Sequence, residues 1–119
     1  MARGYRDPTA DEAVSLVTRE ERMENRRLER DIVAEILHML RERPDTFCWK
    51  EHGGMYGQAG IPDIICCIQG RFVAFEVKTS TGRLSKLQEI TLRRIRDAGG
   101  QAYVVRSADD AEAILDGIC

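Results

Sequence analysis

The chain reads as an α/β fold, a small mixed sheet with helices on its faces. Three observations carry this reading. Apolar residues recur at helical spacing from Leu28 to Leu40, short runs rich in aromatic and β-branched residues follow between Thr46 and Lys78, and helical and extended signals then alternate to the end. With 119 residues, 43% hydrophobic and 32% charged, the sequence describes one compact domain. A chain of this length buries roughly two thirds of its unfolded surface, which sets it apart from disordered and fibrous chains.

Taken in order, Pro8 to Glu12 signals a helix start, with Thr9 as N-cap and Glu12 closing a capping box. Residues 1–27 are dominated by charge and read as a helical arm; residues 28–119 read as the folded domain. Leu28, Ile32, Val33, Ile36, Leu37, Met39 and Leu40 define a core-facing stripe that stops before Pro44. Glu35 interrupts it, seven residues after Leu28 and four before Met39, and a carboxylate on or beside such a face needs a cation, a donor or water. Thr46–Lys50 is a first strand. A glycine-rich loop with Gly53, Gly54, Gly57 and Gly60 follows. It matches neither the phosphate-loop nor the dinucleotide fingerprint, so no nucleotide cofactor is expected. Pro62–Ile68 and Arg71–Lys78 are two further strands joined by Gln69 and Gly70. Leu84–Ala98 is a helix whose inward face is Leu84, Leu87, Thr91, Ile95 and Ala98; Gln101–Arg106 is a fourth strand and Ala108–Leu115 a last helix.

Net charge is −2, which excludes a generally basic coat, but the distribution is uneven. Eight bases stand against three acids between Arg71 and Arg106, so a local basic face could hold a polyanion, the alternative being a solvated helix surface. No apolar run is long enough to cross a bilayer and the first residues lack an apolar export stretch. The expectation is a cytoplasmic protein that needs no membrane, with Cys48, Cys66, Cys67 and Cys119 as reduced, buried thiols.

The sharpest inference comes from register. If Gln69 and Gly70 form a two-residue turn, Ile68 faces Arg71 and, continuing outward, Asp63 faces Glu76. Unit charges about 5 Å apart repel by roughly 3 kcal/mol at an effective dielectric of 20, more than the ~0.2–1 kcal/mol of a favourable cross-strand pair. A raised pKa, a neighbouring base or a divalent cation must offset this. Lys78 projects from the same face as Glu76, and the Val77 carbonyl adds an oxygen to a donor set that suits magnesium or manganese. The competing reading is a structural network in which Lys78 bridges both acids at the sheet margin.

Gly60-Ile61-Pro62-Asp63 followed by Glu76-Val77-Lys78 resembles the PD-(D/E)xK nucleases. Together with Glu35 on the upstream helix, the glycine-rich loop, and Gln88 after Gly82-Arg83-Leu84-Ser85, it looks like the virus-type replication-repair nuclease family, VRR-NUC, over roughly residues 31–115. The resemblance implies a restriction-endonuclease-like core in which Asp63, Glu76 and the Val77 carbonyl hold magnesium or manganese. Lys78 would orient the attacking water, and Glu35 would complete the metal shell. It also implies cleavage of DNA to a 5′ phosphate and a 3′ hydroxyl. Gln88 would be a further site residue, although Ser85 and Gln88 also spell a capping box. Lys86, Arg93, Arg94 and Arg96, on the exposed side of the Leu84–Ala98 helix, with Arg83 at its entrance, would contact phosphates without reading sequence. Tyr56 could stack on an unpaired base, whereas core packing is the expected fate of Trp49. Stand-alone members look like junction resolvases, which implies a homodimer. The rival readings are a non-catalytic DNA-binding module and a subunit of a larger assembly.

Overall fold

The computed structural model describes residues 18–52 and 59–118. Helix α1 (Arg19–Glu42) leads into β1 (Thr46–Lys50), β2 (Ile64–Ile68), β3 (Arg71–Val77), α2 (Lys86–Asp97), β4 (Gln101–Val105) and α3 (Ala108–Ile118). The strands form one sheet in that spatial order, antiparallel from β1 to β3 and parallel between β3 and β4. A parallel pair needs a crossover, and α2 supplies it. This is the mixed sheet with flanking helices expected from the element order. No described helix is long and apolar enough to cross a membrane.

The start of α1 is fixed by a capping box: the Thr18 hydroxyl accepts the Glu21 N–H at 3.1 Å and the Glu21 carboxylate accepts the Thr18 N–H at 3.3 Å. The box expected at Thr9 and Glu12 lies outside the described residues. From Arg19 the helix runs unbroken for 24 residues, so the boundary between residues 27 and 28 falls inside one element. Its buried stripe is Val33, Ile36, Leu37 and Leu40. Leu28, expected on that stripe, is 43% exposed; five residues before Val33, a side chain projects about 140° away.

Side chains alternate across the sheet and create two cores. On one face Ile64, Cys66, Ile68, Val73, Phe75 and Val77 pack under α1 and α3. On the other, a smaller cluster of Ile65, Ala74, Ala102 and Leu92 lies under α2. The inward residues of α2 are Gln88, Thr91, Leu92 and Ile95; Leu87 and Ala98, expected inward, are exposed. Spacing of three, four and seven from Gln88 defines the contact face instead. The cover of α2 ends short of β1 and the turn end of the hairpin, which leaves Phe47, Trp49, Cys67 and Phe72 exposed on that face. Trp49 is therefore not in the core, and its indole N–H donates to Glu51 at 3.1 Å. Of the cysteines expected to be buried, Cys66 is, Cys48 is half-buried and Cys67 is exposed, while Cys119 lies outside the described residues.

The hairpin is anchored by its turn. Gln69 and Gly70 both have positive φ, 51° and 80°, as a type I′ turn requires. The ladder then pairs Ile68 with Arg71 and ends at Ile64 opposite Phe75. Both strands are slightly shorter than expected, β2 starting at Ile64 rather than Pro62 and β3 ending at Val77 rather than Lys78. Asp63 and Glu76 lie one step past this ladder, and Glu76 remains in β3, paired with Val104 of β4.

Candidate active site at the open end of the hairpin

One step beyond the Ile64–Phe75 pair, Asp63 and Glu76 stand on facing positions, as the two-residue turn dictates. Asp63 is held at both ends. Its backbone carbonyl accepts the Glu51 N–H at 2.8 Å and its Oδ2 accepts the Val77 N–H at 2.8 Å. Upstream, Gly60 has φ +84°, and a Cβ there would lie 2.8 Å from both Leu87 Cγ and Thr91 Oγ1. Only glycine lets the chain pass α2 this closely on its way into the site.

Glu76 is 2% exposed. Its Oε1 accepts the Gln88 side-chain N–H at 3.1 Å and lies 3.9 Å from Lys78 Nζ. Burial first, and the adjacent Asp63 carboxylate second, push the Glu76 carboxyl up to about 9, with Lys78 pulling only partly the other way. Without a cation, the Glu76 carboxyl therefore keeps its proton near neutral pH.

Gln88 makes contacts that belong to both of its competing readings, cap and site. Its side-chain oxygen accepts the Ser85 N–H at 2.9 Å to close the capping box, while its amide nitrogen donates to Glu76. The helix start and the site are therefore tied by one side chain.

Glu35 is not brought to this cluster; it is exposed on α1. Glu29, not Glu35, is the α1 carboxylate within electrostatic reach of the cluster. Burial raises the Glu29 carboxyl, Lys78 lowers it and Asp63 raises it further, and Glu29 in turn acts on Glu76. The signal was in the spacing: Glu29 lies four residues before Val33 and seven before Ile36, one turn up the buried stripe. Glu35 shares the spacing of Leu28 instead, and both are exposed.

Arg83, Lys86, Arg93 and Arg94 are exposed, as a phosphate-contacting face requires. Arg94 also lines a cleft of about 370 Å³ with Ile61, Phe72 and Thr91. Arg96 is committed elsewhere: its Nε and Nη2 both donate to the Ala102 carbonyl, at 2.9 and 2.6 Å, and fasten α2 to β4. Tyr56 lies outside the described residues. The sequence reading also missed a second cleft, of about 520 Å³, between α1 and the ends of β1 and β2, where Arg26, Arg27, Arg30 and Lys50 share a wall with Asp63.

Among the described residues, no three His, Cys, Asp or Glu side chains close on a single point. A divalent ion here would rest on the Asp63 and Glu76 carboxylates, with backbone oxygen and water completing its shell. That sparse, all-oxygen set fits magnesium or manganese, which keep several waters and take one or two carboxylates.

Solved structures described as a VRR_NUC domain and a VRR_NUC domain protein share this fold. Their TM-scores are 0.64 and 0.63 at 19% and 16% identity, over 75% and 74% of this chain and 95% and 84% of theirs. No curated protein matches the sequence. The VRR-NUC domain model matches residues 4–109, a span that takes in α1 with Glu29, the Asp63–Glu76 hairpin and the helix bearing Gln88. Since nearly the whole chain is matched, the protein belongs to the VRR-NUC domain family of nuclease-type domains.

Proposed function

We propose that the protein is a divalent-metal-dependent deoxyribonuclease, acting in the cytoplasm on branched or junction DNA during replication, repair or recombination. The observation that carries this reading is the facing of Asp63 and Glu76, with Glu76 pushed up to about 9 by burial and by its neighbour. Such a pair takes either one proton or one cation between its oxygens. Family membership supports hydrolysis of nucleic acid as the use of that cation.

When bound, magnesium or manganese supplies counter-charge for the phosphoryl oxygens and makes a nucleophile available at neutral pH. The protein supplies the placement. Asp63, pinned by the Val77 N–H, and Glu76, pinned by Gln88, present the carboxylate oxygens, and the Val77 carbonyl lies in the same strand end. Lys78 is 9% exposed and keeps its ammonium 3.9 Å from Glu76 Oε1, where it orients the attacking water and adds positive charge for the transition state. Glu29 borders the cluster from α1, within electrostatic reach of Lys78, Asp63 and Glu76.

Phosphate contacts from exposed arginines position DNA without reading bases, which supports selection by shape. A single small domain cuts one strand, so cleavage of both strands of a branched duplex calls for a homodimer. The test is a panel of flaps, splayed ends, four-way junctions and plain duplex incubated with magnesium or manganese. Cleavage that requires the metal, prefers branched substrates and is lost in Asp63→Ala and Lys78→Ala is expected. Binding without cleavage under every metal would favour the non-catalytic DNA-binding module.

A further inference from the structure

We propose that the cleft between the first half of α1 and the ends of β1 and β2 is the track along which the substrate's phosphate backbone reaches Asp63. Arg26, Arg30 and Lys50 would contact the phosphates beside the one that is cut. The proposal rests on the nuclease reading and adds a place and a direction of approach.

Charge is the first argument. The chain as a whole is acidic, with a net charge of −2, yet this cleft of about 520 Å³ gathers Arg26, Arg27, Arg30 and Lys50 around a single carboxylate, that of Asp63. Low-dielectric walls of one sign focus the field and raise the local concentration of an opposite charge. The acid at the inner end is the one that stands in the candidate active site, so the cations line the approach to it.

Helix design is the second. Arg22, Arg26 and Arg30 recur every four residues, which places like charges one turn apart, about 6 Å along the axis. A helix stabilised only by its own surface pairs would alternate sign at this spacing, because like charges there are mildly unfavourable. Among the described residues, Arg26, Arg30 and Lys50 form no ion pair. Arg27 meets Glu24 at 2.9 Å, but both side chains are more than half exposed, and such a pair yields readily to a competing anion. Three uncommitted cations held against the wall of a cleft form a polyanion site, and DNA is the polyanion implied by the family.

The test measures binding separately from cleavage. The full chain, in chelator, is titrated against fluorescein-labelled single-stranded and duplex oligonucleotides between about 50 and 200 mM salt, with anisotropy as the readout. The double variant Arg26→Gln/Arg30→Gln is expected to bind about tenfold more weakly at the low-salt end. Its plot of log affinity against log salt should be shallower by about two units. The variant Arg26→Lys/Arg30→Lys keeps the charge and is expected to keep the slope. An unchanged slope in the glutamine variant, or a loss of slope confined to Arg83→Gln/Arg93→Gln, would overturn the track. If the track variants weaken binding while no metal supports cleavage by the unaltered chain, the track stands and hydrolysis falls. If cleavage is metal-dependent and the slope does not move, the reverse holds.

Discussion

Glu76 has an ordinary carboxyl pKa near 4.5 in the unfolded chain and about 9 in the folded one, raised by burial and then by Asp63. Between those values the folded protein holds a proton that the unfolded chain has released, so the unfolded state binds fewer protons. Stability then falls as pH rises, by at most about 1.4 kcal/mol per unit for one group. Thermal melts of the metal-free protein between pH 5 and 9 are therefore expected to show a midpoint that declines steadily, and Glu76→Gln, which needs no proton, should flatten that decline. A cation that takes the proton's place releases it. Manganese titrated calorimetrically at pH 7 in buffers of different ionisation enthalpy should show release of up to one proton in the unaltered protein and less in Glu76→Gln. Affinity that is independent of pH would remove the shared proton from the account. At the same scale, Gly60→Ala places a methyl group 2.8 Å from Leu87 and Thr91 in a left-handed backbone. A cost of about 1–3 kcal/mol is expected, read as a lower urea midpoint with unchanged slope.

Helix α1 shows what an element adds that its residues do not announce. A carboxylate on a mostly apolar stripe stands out in sequence, and Glu35 does so between Ile32 and Met39. Which of two adjacent stripes faces the sheet depends on how the helix is rotated, however, and tertiary packing sets that rotation. Val33, Ile36, Leu37 and Leu40 turn inward, which carries Glu29 to the site and leaves Glu35 in solvent. Glu29→Gln is accordingly expected to lower metal-dependent cleavage by about tenfold or more, a larger loss than that of Glu35→Gln, as single-turnover rates would show. The hairpin was legible where the helix rotation was not, because a two-residue turn with a glycine fixes the register of both strands at once, and register alone sets Asp63 against Glu76. Gln88 was legible as a candidate for either of two roles, cap or site; that one side chain reaches both the Ser85 N–H and Glu76 depends on where α2 starts relative to β3. The fates of Trp49 and Cys67 were not legible, since alternation along a strand identifies a face but not whether a neighbouring helix extends far enough to cover it.

For the whole molecule, element order was sufficient for the architecture: a helix, a three-strand meander and a crossover to a parallel strand admit few arrangements. Charge composition speaks less directly to organisation: the density of charge before Leu28 suggests an arm over residues 1–27, of which the described structure covers residues 18–27. The structure joins residues 18–27 to the rest at three levels. Thr18 caps the same helix that carries the core stripe, Thr79 Oγ1 donates to Asn25 Oδ1 at 3.4 Å just beyond Lys78, and Arg26 and Arg27 line the cleft that ends at Asp63. A chain beginning at Leu28 would lose the cap, worth about 0.5–2 kcal/mol, the tether to Thr79, and two of the cleft's cations. Its new helix terminus would also begin one residue before Glu29, where unsatisfied backbone N–H groups replace a helical turn. The expected outcome is a lower thermal midpoint together with weaker binding of labelled duplex, a joint loss that a dispensable arm would not produce. Should the shortened chain melt, bind and cleave as the full chain does, the segment before Leu28 would be a separate appendage, and the approach of DNA along α1 would have to be placed on another face.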